Sequence, residues 1–189
     1  MSTWFLALFC VTGSGVLVFL SVVPGMLEQV PDRVAWIVGG VFAFLAGILA
    51  VRHLLRSMRA ERPRPRPTSG IIVLLALVLT PILLYTHTPR RQVFKTYQPQ
   101  FDALLARAPP AGDHSTVNLN VDLQQYWIDE WGTDIRGGTY FRTMVGAAPD
   151  RRSFGFAYRP NVDGSPFGDA GYELQHLTGD WYSFAASDR

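Results

Sequence analysis

The chain has 189 residues, with 17 Lys and Arg against 15 Asp and Glu and a formal net charge of +2. Residues 1–88 hold seven Arg against three acids, and residues 89–189 hold ten basic against twelve acidic residues. Neither half has the broad basic surface that binds nucleic acid, which is excluded as a partner. The single cysteine, Cys10, excludes an intramolecular disulfide, so the C-terminal half must be held by its own core or by docking.

Residues 4–23 form an uncharged apolar run. At about 1.5 Å per residue, its length matches a hydrocarbon core about 30 Å thick, which predicts a first transmembrane helix. Pro24-Gly25 ends that run, and residues 34–51 form a second one. Residues 70–86 form a third, shorter run that contains Pro81, where a kink is expected. The predicted fold class is therefore a membrane α region of three transmembrane helices over residues 1–88, joined to a small, mainly β extracytoplasmic domain. The loop 52–69 carries Arg52, Arg56, Arg59, Arg62, Arg64 and Arg66 against the single acid Glu61. That excess places the loop in the cytoplasm, where it marks topology and touches anionic lipid. The N-terminus is then also cytoplasmic, the membrane is the cell inner membrane, and everything after the third run is periplasmic. In the second run, Ala35, Gly39, Ala43 and Gly47 recur every four residues. On a helix this makes a stripe of small side chains along which another helix packs closely.

From residue 89 the composition changes. In the linker 89–112, Phe101, Leu104, Leu105 and Ala108 fall at helical spacing after Pro99, predicting one short amphipathic helix that lies on the membrane surface or caps a sheet. Residues 113–189 read as a β domain. Val117, Leu119, Val121 and Leu123 alternate strictly with polar residues over 116–123, and further β stretches are expected at 126–131, 139–145, 153–158, 172–177 and 181–185. Short turn segments between them argue for an antiparallel sheet. Gly179-Asp180 has glycine where a tight type II′ hairpin needs it. Phe154, Phe156 and Tyr158 alternate with small residues and give one strongly aromatic face.

No nucleophile motif, phosphate loop, CxxC or HExxH is present, and the chain reads as non-enzymatic. The four histidines stand singly. His53 and His87 fall near opposite membrane faces and are the candidates for axial ligation of haem or a chlorophyll-like pigment, although hydrogen bonding to headgroups is the commoner role there. Asp129 and Glu130 are adjacent on a predicted strand and should point to opposite faces, which argues against paired carboxylate chemistry with Asp134. Asn161, Asp163 and Asp169 offer oxygen ligands, but Pro166 and Tyr172 stand where a calcium loop has its glycine and its bidentate glutamate. The expected function is a non-catalytic accessory or assembly subunit of a larger membrane complex, respiratory or photosynthetic, with other integral membrane subunits and lipids as partners. A membrane-tethered sensor or ligand-binding module is the alternative, and a membrane-bound enzyme the third.

Overall fold

The computed structural model describes residues 3–26, 47, 48, 51, 52, 55, 68–108, 116–146 and 151–187. The chain divides into two compact units, one of Met1–Leu20 with Val30–Thr88 and the other of Ser21–Gln29 with Pro89–Arg189.

The first unit contains helix α1 (Thr3–Val22) as far as Leu20 and helix α2 (Thr68–Thr86), which runs through Pro81. Ala7 and Val73 are buried together, with Cys10, Ile72, Leu74 and Leu77 packed around them. The expectation of three transmembrane helices is corrected. Among the described residues no single helix is long and apolar enough to cross a membrane. The end of the predicted span 4–23 enters the second unit, where Ser21 and Val22 are buried. Most of the predicted span 34–51 and of the loop 52–69 lies outside the described residues.

The second unit is built on helix α3 (Thr88–Leu105) and six strands: β1 (Thr116–Asp122), β2 (Trp127–Thr133), β3 (Thr139–Val145), β4 (Ser153–Tyr158), β5 (Ala170–Thr178) and β6 (Trp181–Ser187). They form one antiparallel sheet of order β1-β2-β3-β4-β6-β5. The expected strands are all present, β3 and β4 with the expected ends. The β5–β6 loop is Gly179-Asp180, since Thr178 pairs with Trp181. Gly179 has φ +52° while Asp180 does not enter the positive region, the sign pattern of a type II′ turn.

Helix α3 corrects the short helix expected from Pro99. It starts eleven residues earlier, at Thr88, with Pro89 in its first turn, where the missing amide has no helical partner to lose. Arg90, Phe94 and Phe101 are its buried residues, and Tyr97 packs against the same core, so one helical face is covered along its length. Phe101 lies 5.1 Å from Phe156, 5.7 Å from Phe141 and 5.7 Å from Trp181, ring centre to ring centre. This is the aromatic face foreseen in the sequence, filled by α3. The opposite face is also apolar: Tyr140, Ala157, Phe184 and Ala186 are buried there under Phe167, whose ring stacks on Phe184 at 5.8 Å. The sheet is therefore covered by a helix on one side and by the loop around residues 159–169 on the other.

β1 departs from strict alternation. Its pairing with β2 slips between Asn118 and Val121, and Asn120 takes φ +51°. One extra residue on β1 leaves Val117 exposed while Leu119, Val121 and Leu123 still reach the core. Gly155 marks the tightest approach in the sheet, because a Cβ built there would fall on the backbone carbonyl of Phe141.

Denaturant unfolding should separate these positions. Phe101→Ala is expected to cost about 3–5 kcal/mol, and Gly155→Ala should prevent the native sheet from forming. Val117→Ala should stay within about 0.5 kcal/mol of the parent chain.

Candidate functional site

The densest polar construction in the second unit is centred on Asp134, which is 2% exposed at the end of β2. Its Oδ1 accepts the backbone amides of Arg136 at 2.8 Å and Gly138 at 3.0 Å. Its Oδ2 accepts the Tyr140 hydroxyl at 3.0 Å and the Asn161 amide at 3.3 Å. The β2–β3 turn is thus wrapped around one carboxylate. The Tyr140 oxygen also accepts the Asn161 amide at 2.8 Å and lies 3.3 Å from the Tyr172 hydroxyl, which donates to the Asn161 carbonyl at 2.8 Å. Two tyrosines and one aspartate therefore hold the start of the loop that covers the second face of the sheet. A Cβ at Gly138 would stand 2.6 Å from the Asp134 carboxylate, so only glycine allows the turn to close this tightly.

Burial of the phenols raises their pKa, because the phenolate loses solvation. Tyr140 lies well above its ordinary value of 10.0 through burial and then its hydrogen bond with Tyr172. Burial, with the Asp134 carboxylate nearby, pushes Tyr172 up to about 12. Tyr126, in the other core, is likewise raised by burial. Such groups are held neutral as hydrogen-bonding and packing elements and are poorly suited to acid–base work near neutrality.

Several other charged side chains of this unit are paired. Asp129 and Glu130 converge on one guanidinium, contrary to the expectation that they diverge. Arg142 Nη2 lies 2.9 Å from Asp129 and also meets Glu130, while its Nε lies 3.1 Å from both Asp129 oxygens. The irregular β1–β2 register accompanies this convergence. The Arg142 guanidinium also sits 5.1 Å over the Phe167 ring. In the loop read for calcium, Arg136 donates to Asn161 Oδ1 at 2.8 Å and pairs with Asp163 at 3.1 Å, so a fixed cation already stands against those oxygens. Among the described residues no group of three or more His, Cys, Asp or Glu side chains is placed to hold a metal ion.

His87 is the residue between α2 and α3. It has φ +51°, and its amide donates to the Leu84 carbonyl at 3.2 Å, a helix-ending conformation. Gly47 is helical, and Arg52 is helical and exposed. His53, Ala35, Gly39, Ala43, Arg56, Arg59, Arg62, Arg64 and Arg66 lie outside the described residues.

Sequence reasoning missed Arg90. It is 5% exposed, and its Nε donates to the Ser21 carbonyl at 3.0 Å while Nη1 donates to Gln175 at 3.3 Å. The available signal was the spacing of Arg90, Phe94, Tyr97 and Phe101 on one helical face, which the charge conceals.

No protein-family model matches this chain, and no curated protein or solved structure is significantly similar to it.

Two outcomes test the Asp134 hub. Asp134→Ala strands the Arg136 and Gly138 amides, leaves the Tyr140 hydroxyl only the Gly164 carbonyl and its neighbours, and should cost about 3 kcal/mol in denaturant unfolding. Because the folded state raises the pKa of Tyr140, Tyr172 and Tyr126, the stability they contribute is complete below about pH 10 and falls as pH rises, through about 12 for Tyr172. Alkaline titration of phenolate absorbance should show these three ionising with unfolding, and Tyr172→Phe should make stability less steep between about pH 10 and 12.

Proposed function

We propose that this protein is a non-catalytic accessory subunit at the cell inner membrane, which docks on other integral membrane subunits and lipid through the apolar faces of α1 and α2. The observation that carries this reading is the uncovered apolar surface of those helices. On α1, Leu8, Val11, Val16 and Phe19 are exposed, Phe19 by 62%. Leu17, on the opposite side of the helix, is exposed as well, so uncovered apolar surface lies on more than one side of α1. On α2, Ile71, Leu75, Val78, Leu79, Ile82 and Tyr85 repeat at three- and four-residue steps and are all exposed, Tyr85 by 86%. Apolar surface this long, without a charged residue, belongs against another apolar surface.

The second unit supports an accessory rather than a catalytic role through the way its polar groups are used. Arg142 is paired with Asp129 and Glu130, Arg136 with Asp163, and Asp134 is saturated by donors. The Trp181 indole donates to Asp102 at 3.1 Å. These pairs stiffen a folded brace, which is what a subunit bearing on its neighbours requires. A respiratory or photosynthetic assembly is the class of complex in which such a subunit would serve, with haem or chlorophyll-like pigment carried by the neighbours or at their contact with this chain.

Mild-detergent solubilisation of the native membrane, followed by purification through a C-terminal tag, tests the reading. The expected result is a stoichiometric complex much larger than the 21.1 kDa chain, with visible absorption bands if its partners carry pigment or haem. Leu75→Glu together with Leu79→Glu should release the chain from that complex without lowering the stability of the second unit. A colourless 21.1 kDa species without partners would overturn the proposal.

A further inference from the structure

Asp163-Gly164 is the only Asp-Gly or Asn-Gly step in the chain, and it lies in the loop that covers the second face of the sheet. A glycine after an aspartate lacks the Cβ that ordinarily keeps the next amide nitrogen away from the side chain. The Gly164 nitrogen can then attack the Asp163 Cγ and close a five-membered imide, with one carboxyl oxygen leaving as water. Water reopens the imide at either carbonyl. One opening restores aspartate; the other gives isoaspartate, in which the main chain runs through Cγ. No electrons are exchanged, and the water released on closure is taken up again, so the mass is unchanged.

The step is open to solvent, for the Asp163 side chain is 67% exposed. At Gly164 it is the carbonyl that is engaged, accepting the Tyr140 hydroxyl at 3.2 Å. The Asp163 carboxylate is held more firmly. Arg136 pairs with its Oδ2 at 3.1 Å, and the same guanidinium donates to Asn161 Oδ1 at 2.8 Å, which also accepts the Asp163 amide at 3.2 Å. Arg136 is itself placed by Asp134, which accepts its backbone amide at 2.8 Å. To close the ring, the carboxyl group must take up a proton and lose an oxygen, and both require it to leave the guanidinium. One cation on the β2–β3 turn thus stands between an exposed Asp-Gly step and its rearrangement.

We propose that Asp163-Gly164 is a site of spontaneous isoaspartate formation, and that Arg136 sets its rate by holding the Asp163 carboxylate. The product releases the loop. Asn161 is fixed by Asp134, Tyr140 and Tyr172, and Gly164 by Tyr140. The additional main-chain atom of isoaspartate therefore falls between two points held by the same hydroxyl. This inference does not rest on the accessory-subunit reading.

Full-length parent and Arg136→Gln chains, purified in detergent and incubated at neutral pH, test it. Isoaspartate is counted by enzymatic methyl transfer from S-adenosylmethionine and located by peptide fragmentation. Arg136→Gln should gain isoaspartate at position 163 about two- to fivefold faster than the parent, the range that an exposed ion pair supplies. In concentrated urea, where the pair is absent, both chains should convert at one common, higher rate. Equal native rates, unequal rates in urea, or no isoaspartate at position 163 would each overturn the proposal. Isomerised parent should be cut by protease within 159–169 sooner than fresh parent, and equal resistance would overturn the release of the loop. Should Arg136→Gln lose the near-ultraviolet signal of the aromatic core, the parent at raised salt replaces it, because salt screens an exposed pair. Faster conversion with salt then supports the role of Arg136, and an unchanged rate overturns it.

Discussion

Two phenylalanines of α3, Phe94 and Phe101, stand seven residues apart on one helical face and press into the sheet among Phe141, Phe156, Tyr126 and Trp181. The rest of the second unit depends on this contact. A small antiparallel sheet ordinarily keeps one face in water, but here β4 offers Phe154 and Phe156 to one side and Ala157 to the other, and all three are buried. Both faces have to be covered for the unit to exist. Helix α3 covers the first with rings, which bury the most area per residue. The second is left to an irregular loop, which has little backbone bonding of its own to hold it.

The buried polar groups follow from that need. The loop over the second face is anchored at one end by the Phe167–Phe184 stack and at the other by Asp134, Tyr140 and Tyr172 acting on Asn161. A carboxylate with four donors is well satisfied and therefore gives a unique geometry at modest net cost. Arg90 serves similarly on the first face, where it joins the end of α1 to β5. In both places a charge that looks available for chemistry is committed to holding an irregular segment in place.

The first unit is of a different kind. Among the described residues its helices bury few side chains against each other and leave apolar surface uncovered, a pattern that argues for further apolar neighbours and underlies the role proposed above. The end of α1 changes affiliation within one uncharged run: Leu20 belongs to the first unit and Ser21 to the second. A hydropathy count cannot detect this, because burial in a protein core and immersion in hydrocarbon favour the same residue types.

What the sequence by itself determined is the set of strands, the aromatic side of β4, the Gly179-Asp180 hairpin and the apolar character of α1 and α2. Each rests on a local period or a local dihedral demand, which neighbouring residues suffice to express. Three things were decided only in the tertiary structure. The true start of α3 was hidden by a buried charge at Arg90, whose partners Ser21 and Gln175 lie 69 and 85 positions away. The convergence of Asp129 and Glu130 on Arg142, which lies on the neighbouring strand, is accompanied by a slipped β1–β2 register that no alternation pattern reveals. The burial of Pro24-Gly25 beneath Phe154 turned what reads as a simple break into a fitted turn. In each case the deciding partner is far along the chain, and whether a polar or apolar group is buried depends on that partner and not on its neighbours in sequence.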